Sequence, residues 1–378
     1  MRIVAIGPTY PYRGGIAHFS TVLVEHLRKR HEVWFLTWKR LYPPFLYPSE
    51  QFDTVSKHHI STDAEYVLDY MKPWTWYRAF RRIREVNADL LLIHWWHPVM
   101  TPVYRFITFF VHRWTTAKIV FICHNVNPHE GFPGSRWLTT VALKSGHGFI
   151  VHNQRPLRTL RRLRPDANIQ LAFHPIYSIF ADVQEPSAPI EEKLLLRRKR
   201  LLFFGLVRPY KGIEYLLRAM PAILERHDVD LLIVGQFWKG KRPIMRLIQD
   251  LGIQEHVFII DNYIRNEHVK KYFDATDLVV VPYVSGTQSG IIQTAYAFDR
   301  PVIATTVGGF PDAVRDGETG YLVPPADSAA LARAVIDFYD HRRKDAFVEN
   351  VRQYKARFSW DQYVRTIETL ATNVREHV

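Results

Sequence analysis

Two cations, Arg208 and Lys211, stand on the loop Leu206–Gly212, directly after the apolar run Leu201–Phe204. The run reads as a buried strand, and open parallel sheets bind ligands beyond the carboxyl ends of their strands. Arginine presents a planar fork and lysine a point charge, so the pair can clamp a diphosphate and stabilise negative charge on a departing phosphate. Two solvated loop cations are the bland alternative. Three further features of the same half favour a nucleotide-diphosphate ligand: Gly205 closing the strand, Ser289-Gly290 at a helix start, and Gly308-Gly309 after another strand.

The helix start belongs to the most informative stretch, Asp277 to Pro325. Leu278–Val281 is an apolar, β-branched run ending at Pro282, and the polar loop Ser285–Gly290 leads into a helix from about Ile291 to Phe298. The buried run Pro301–Thr305 completes a βαβ unit. Small residues at the loop-to-helix junction let backbone N–H groups approach an anion. An ordinary crossover with a tight turn is the competing reading.

Histidines mark strand ends in the first half. Leu90–Ile93 is followed by His94-Trp95-Trp96-His97, and Ile119–Ile122 shortly by His124 to Glu130, which includes His129. Both groups point to one crevice at the carboxyl edge of a sheet. His97, His124, His129 and Glu130 are also candidate zinc ligands by type, but no HxxxH or HExxH pair falls on an expected helix. Gly14-Gly15 at the start of the helix Ile16–Arg30 is either another place for a ligand to meet backbone amides or a turn needing positive φ.

The supporting elements alternate. Arg2–Ile6, Glu32–Thr37, Leu90–Ile93, Ile119–Ile122 and Gly148–His152 read as strands of a first α/β domain; Leu201–Gly205, Leu231–Gly235, Val257–Ile260, Leu278–Val281 and Pro301–Thr305 read as strands of a second. The alternation predicts two Rossmann-like, doubly wound α/β domains: residues 1–182, a polar, proline-bearing linker at 183–197, a second domain at 198–357, and a final helix within 358–378. A chain of 378 residues can bury a sizeable core in each half.

Composition narrows the class. Apolar content of 47% fits a globular protein, and the single cysteine, Cys123, excludes an internal disulfide and suits a reducing compartment. The N-terminus reads as a first strand rather than a signal peptide, and no run reaches the length of a membrane span. The expectation is a cytoplasmic protein, at most peripheral on the inner membrane face. The net charge of +13 suits nucleic acid, anionic lipid or phosphorylated small molecules. Nucleic acid is disfavoured, since no helix-turn-helix, zinc or single-strand-binding signature is visible. Val103–Trp114 is aromatic and interrupted by cations, and an earlier basic segment carries Arg78, Arg81, Arg82 and Arg84. A core-facing helix with a solvated side explains this pattern; contact with an anionic membrane surface is the sharper reading.

The motifs together resemble the retaining glycosyltransferases of the family 4 type. FFGLVRPYKGIEYLLRAM resembles that family's Gly-x-x-x-x-x-Lys-Gly loop, and RPVIATTVGGFPDAVRDGETGYLVPP is close to its most recognisable run. GPTYPYRGGIAHF resembles its glycine-rich first loop, and HNVNPHE a form seen in bacterial polysaccharide-assembling members. The resemblance covers nearly the whole chain and implies a GT-B fold, two domains facing across a cleft with the C-terminal helix crossing back to the first. It implies a hexosyl-type, metal-independent transferase without a cofactor, taking a nucleotide-diphosphate sugar to a glycan or lipid-linked acceptor.

In this resemblance Arg208, Lys211 and His124 are the catalytic candidates, the two cations on the leaving diphosphate and the histidine near the sugar. Gly15, Gly205, Gln288, Ser289, Gly290, Ile291 and Thr294 fall on the donor side; Tyr12, His97, His129 and Glu130 are acceptor-side candidates. One departure is specific. The family's two glutamates, separated by seven residues, align with Gly286 and Thr294. Sugar contact would pass to Gln288 or main chain, and ribose contact to Thr294 or Gln293. The alternatives are a nucleotide-sugar epimerase or hydrolase of related fold, or a non-catalytic nucleotide-sugar-binding relative.

Overall fold

The computed structural model describes residues 1–41, 50–57, 60–126, 132–181, 199–238 and 240–373. The chain divides into two compact units, one of residues 1–55, 59–173 and the C-terminal segment from Trp360, the other of residues 56–58 and 174–359.

The first unit contains β1 (Arg2–Ile6), α1 (Gly15–Arg28), β2 (Glu32–Arg40), β3 (Glu65–Asp69), α2 (Pro73–Glu85), β4 (Leu90–Trp95), α3 (Thr101–Trp114), β5 (Lys118–Cys123), α4 (Ser135–Leu143), β6 (Gly148–Val151), α5 (Gln154–Leu163) and β7 (Asn168–Leu171). Its sheet is parallel throughout, in the order β3-β2-β1-β4-β5-β6-β7. The order reverses between β1 and β4, and the crevice above such a reversal is where doubly wound sheets bind ligands.

The second unit contains β8 (Lys199–Phe204), α6 (Ile213–Leu224), β9 (Val229–Val234), α7 (Lys241–Asp250), β10 (Val257–Ile260), α8 (Val269–Asp274), β11 (Leu278–Val281), α9 (Gly290–Ala297), β12 (Val302–Thr305), α10 (Phe310–Ala313), β13 (Gly320–Val323), α11 (Ser328–Asp340) and α12 (Lys344–Tyr354). Its parallel sheet runs β10-β9-β8-β11-β12-β13, reversing between β8 and β11. Central strands such as β4, β9 and β11 are buried along their whole length, which is why they read as continuous apolar runs. With its two Rossmann-like domains, the chain has the GT-B fold.

The last helix, α13 (Trp360–Asn373), belongs to the first unit. Phe19 of α1, fully buried, meets Trp360 and Tyr363 at ring distances of 5.2 and 5.4 Å. Burying one such side chain contributes about 1.5–3 kcal/mol. Further along, Glu368 pairs with Arg30 at 2.9 Å and accepts from His31 at 2.8 Å.

The units divide at 173/174, earlier than the expected boundary at 182/183, and the expected linker at 183–197 lies outside the described residues. Proline and polar composition mark the chain that faces water, whereas contacts mark the domain. Tyr177 already packs within the second unit, where a side chain on Gly290 would come within 3.2 Å of its ring, and the Ile176 amide donates to the Phe358 carbonyl at 3.0 Å. Element boundaries move by one to three residues as well: β4 runs to Trp95 rather than Ile93, β2 to Arg40 rather than Thr37, α9 opens at Gly290 rather than Ile291, and β12 begins at Val302 rather than Pro301. The strands β3 and β7 carry no apolar run that would have announced them.

Gly212 joins the cation loop to α6 in the left-handed region, with φ of +64°, and a Cβ there would sit 2.2 Å from the Pro282 carbonyl oxygen. Both the dihedral and the close approach exclude a side chain. Gly212→Ala should lower the thermal unfolding midpoint by roughly 5 °C or more, from strain of about 1–3 kcal/mol plus the clash. An unchanged midpoint in calorimetry would show that this turn does not hold β8 against β11.

Candidate diphosphate site

The second unit gathers its candidate residues at the β8/β11 reversal. Gly205 leaves β8 with φ of +94°, and a Cβ built on it would lie 3.3 Å from Lys211 Nζ and 3.4 Å from Ile291 Cδ1. The end of the first strand, the cation loop and the start of α9 therefore meet at one point. Lys211 is folded back over Gly205 because Pro209–Lys211 forms a single 3-10 turn, in which the Lys211 amide donates to the Arg208 carbonyl at 2.9 Å.

Lys211 is 7% exposed and forms no ion pair with a carboxylate among the described residues. Its ammonium lies 5.2 Å from the centre of the Tyr283 ring. Burial, with a smaller contribution from the Arg208 charge, lowers its pKa to about 8. A buried cation without a counter-ion is costly, and an arriving anion relieves that cost.

Arg208 lies over Trp238, its guanidinium carbon 4.4 Å from the ring centre, and its buried Nε has no hydrogen-bond partner among the described residues. Trp238 is brought there by the neighbouring strand end. The Val207 amide donates to Gln236, the Trp238 amide donates back to Val207, and Asp261 beyond β10 accepts from the Phe237 amide at 2.8 Å. Local sequence shows neither Trp238 nor Tyr283 as a site residue, although Tyr283 lies just past the end of β11, where the strand-end rule applies.

At the start of α9 the Ser289 hydroxyl accepts from the Ile291 amide at 3.2 Å. This N-cap corrects the expectation that all three amides of Ser289, Gly290 and Ile291 face a ligand: the Ile291 amide is taken. The Ser289 and Gly290 amides carry no hydrogen bond among the described residues. The Thr294 hydroxyl is also engaged, donating to the Gly290 carbonyl at 2.9 Å, and the residue is 4% exposed. Beside it, Gln293 holds a buried side-chain oxygen without a partner among the described residues, as does Gln288 on the loop before the helix. Unpaired buried acceptors are rare, and hydroxyl donors from a ligand would satisfy them. Gly286, at one of the two aligned glutamate positions, is buried, with the Phe310 and Tyr283 rings 3.5 and 3.6 Å from where its Cβ would stand.

The first unit has its own cluster at the β1/β4 reversal. His94 Nδ1 and His124 Nε2 share a hydrogen bond of 3.0 Å, the rings stacked 5.3 Å apart. A Cβ on Gly7, just beyond β1, would come within 2.8 Å of the His94 ring. Burial lowers the His94 pKa to about 3, so this imidazole is neutral at pH 7. His152, beyond β6, continues the row at 5.4 Å from His124, and Tyr363 of α13 stacks on it at 5.7 Å. His152, directly after β6, is the residue that sequence reasoning passed over as a site member, and His94 lies inside β4, which runs to Trp95.

Other expectations fare differently. Tyr12 is 2% exposed and donates its hydroxyl to the Trp38 carbonyl at 3.1 Å, so it is part of the core packing rather than an accessible acceptor-side group. His97 is half-buried and uses Nδ1 to accept from the Val99 amide at 3.2 Å, capping the turn before α3. Gly15 opens α1 and is exposed. His129 and Glu130 lie outside the described residues. Among the described residues no group of three or more His, Cys, Asp or Glu side chains is placed to hold a metal ion.

The buried ammonium makes a signed prediction. The folded pKa of Lys211, about 8, lies below its ordinary 10.5, so the folded state binds this proton less tightly than the unfolded chain. The stability cost is therefore full below pH 8 and fades as pH rises toward 10.5. Lys211→Met should stabilise the free protein at pH 7 by on the order of 3 kcal/mol, while weakening inorganic pyrophosphate binding tenfold or more. Urea melts across this pH range would show the gain shrinking; a constant gain would mean that the ammonium has a counter-ion. Pyrophosphate affinity of the unaltered chain should fall as pH rises through about 8.

Residues 198–341 match the family of glycosyl transferases group 1. The same half carries the curated relatives. A phosphatidyl-myo-inositol mannosyltransferase of Mycobacterium leprae is 35% identical over 183 residues, 46% of this chain and 48% of that protein. A D-inositol 3-phosphate glycosyltransferase of Streptomyces coelicolor is 32% identical over 198 residues, 47% of this chain and 42% of the relative. The matches thus span less than half the length of these relatives. Among solved structures, HepE of Anabaena in complex with UDP-glucose superposes with a TM-score of 0.73 at 16% identity, covering 98% of this chain and 100% of that one. Sucrose-phosphate synthase of Thermosynechococcus elongatus gives 0.72 at 20% identity, covering 98% of both chains. These likenesses show the fold over the whole chain, and residues 198–341 are similar in sequence to the glycosyl transferases group 1 family.

Proposed function

We propose that this chain transfers a hexose from a nucleoside-diphosphate sugar to a glycan or lipid-linked acceptor, with retention of anomeric configuration and without a metal ion. The observation that carries the reading is the buried Lys211 ammonium, which lacks a carboxylate partner and stands over Gly205 beside the start of α9. That arrangement is built for an anion. The group 1 match over residues 198–341, the mannosyltransferase and inositol-phosphate glycosyltransferase relatives, and a fold neighbour holding UDP-glucose support a sugar nucleotide as that anion.

The bond between the anomeric carbon and the diphosphate oxygen breaks, and the electron pair leaves with the diphosphate. Lys211 and Arg208 stabilise that charge, the lysine as a desolvated point charge and the arginine as a fork held in place by Trp238. The acceptor hydroxyl bonds to the same face of the anomeric carbon and gives its proton to the departing phosphate oxygen. His124, fixed by His94, contacts the sugar, and the free acceptor oxygens of Gln288 and Gln293 take hydroxyl protons of the donor. A neutral amide holds a hydroxyl less strongly than a carboxylate, about 1 against roughly 1.5–3 kcal/mol. Donor affinity then rests more on the diphosphate clamp.

Arg208→Ala and Lys211→Ala should each lower kcat/KM tenfold or more, a loss of at least about 1.4 kcal/mol of transition-state stabilisation. The donor is found first, by thermal shift against UDP-, GDP- and ADP-sugars, and the product's anomeric coupling constant then reports retention. Full activity in both variants would remove the diphosphate clamp from the mechanism. Turnover of the donor with no acceptor present would instead favour an epimerase or hydrolase.

A further inference from the structure

The first unit carries a surface that the donor chemistry does not use. Helices α2 and α3 pack side by side, burying Ala79, Phe80 and Ile83 of one and Val103, Ile107 and Val111 of the other. Their outer sides are aromatic. Trp74 is 58% exposed, Tyr77 45%, Phe109 56% and Trp114 48%. These rings form a joined patch: Tyr77 meets Phe110 at 5.9 Å, and Phe110 stacks on Trp114 at 4.9 Å and touches Phe109 at 5.5 Å. Trp74 lies one turn from Tyr77 on the same side of α2.

The charge around this patch is predominantly positive, with Glu85 at the end of α2 as the acidic residue of the two helices. Residues 70–84 and 101–118 together hold eight Lys or Arg and no Asp or Glu. Arg82 is neutralised by Glu65 at 2.7 Å and Arg81 pairs with the exposed Glu85 at 3.0 Å. Arg78, Arg84 and Arg113 are exposed and make no ion pair among the described residues. Exposed tryptophan and tyrosine between unpaired arginines match the layered chemistry of a bilayer interface, phosphate above and acyl chain below. The 14-residue α3 is about 21 Å long by helix geometry, too short to span a membrane and suited to lying in its surface. Among the described residues no helix is long and apolar enough to cross one.

We propose that the outer face of α2 and α3 docks on an anionic lipid bilayer, with Trp74, Tyr77, Phe109 and Trp114 entering the interfacial layer and Arg78, Arg84 and Arg113 meeting headgroup phosphates. The surface stands without the transfer reading, and it deepens that reading by giving a lipid-linked acceptor a place to be met. Trp74 and Phe109 lie on different helices, so a two-helix footprint, rather than one amphipathic helix, makes the contact.

Flotation of the full chain with vesicles tests this. Binding is expected to vesicles with about 30 mol% phosphatidylglycerol and not to pure phosphatidylcholine, and it should weaken tenfold or more between roughly 0.1 and 1 M salt. The double variants Trp74→Ser with Phe109→Ser, and Arg78→Glu with Arg113→Glu, should each lose binding tenfold or more. All four positions are exposed, and unchanged circular dichroism and melting midpoints confirm that the variants fold. No binding by the unaltered chain, equal binding to both vesicle types, or binding that survives both double variants would each overturn the proposal. Dimerisation of the unaltered chain that both variants abolish, without flotation, would assign the face to a second copy and overturn the bilayer. Thermal shift with UDP-, GDP- and ADP-sugars on the same proteins reports the donor site separately: if none of them shifts the midpoint while flotation holds, the sugar-nucleotide reading fails and the membrane face stands.

Discussion

An ammonium buried without a counter-ion is the constraint around which the second unit is arranged. Lys211 is held in that state by three elements at once: the 3-10 turn that folds it back, Gly205 that leaves room beneath it, and Tyr283 and Ile291 that exclude water around it. Each of these depends on the sheet order. Only because β8 lies next to β11 do the cation loop, the end of β11 and the start of α9 converge. The cost of desolvating the charge is borne by the folding of the whole unit, and a bound anion would return it.

The first unit solves a different problem at the equivalent place. Its strand ends carry imidazole rings rather than lysine or arginine: His94, His124 and His152 lie in a row across β4, β5 and β6, sealed by Phe19 and by Tyr363 of the last helix. A neutral imidazole can donate at one nitrogen and accept at the other, which suits hydroxyl groups of a sugar better than phosphate. The C-terminal helix is therefore part of the support of His124 as well as a structural closure, since it covers the ring at the end of that row. The outer face of the same unit, with exposed aromatic side chains beside Arg78, Arg84 and Arg113, is carried by α2 and α3.

The departure at Gly286 and Thr294 gains a physical description. The Thr294 hydroxyl is spent on its own helix, Gly286 is buried against Phe310 and Tyr283, and the unsatisfied acceptors of the region are amide oxygens of Gln288 and Gln293. Hydrogen-bonding capacity is retained while the negative charge is absent. Among the described residues Lys211 forms no ion pair with a carboxylate, so an anion meeting the cations there would face no internal competitor.

By itself the sequence determined the two-unit α/β architecture, the strand cores and the cation loop, because buried parallel strands are contiguous apolar runs and loops that bind anions announce themselves by glycine and basic residues. It also marked His124, Ser289 and Gly290, all at strand or helix ends. What it left to the tertiary structure were properties set by neighbours distant in the chain. Tyr12 and Thr294 look available by type, but their hydroxyls are engaged by Trp38 and Gly290. Trp238, Tyr283 and His152 carry no motif and enter only through sheet order. The unit boundary follows contacts made by Ile176 and Tyr177 rather than the polar composition that follows them. Whether a charged group is buried, and what faces it there, is decided by packing between segments far apart in the chain, and no local pattern encodes that.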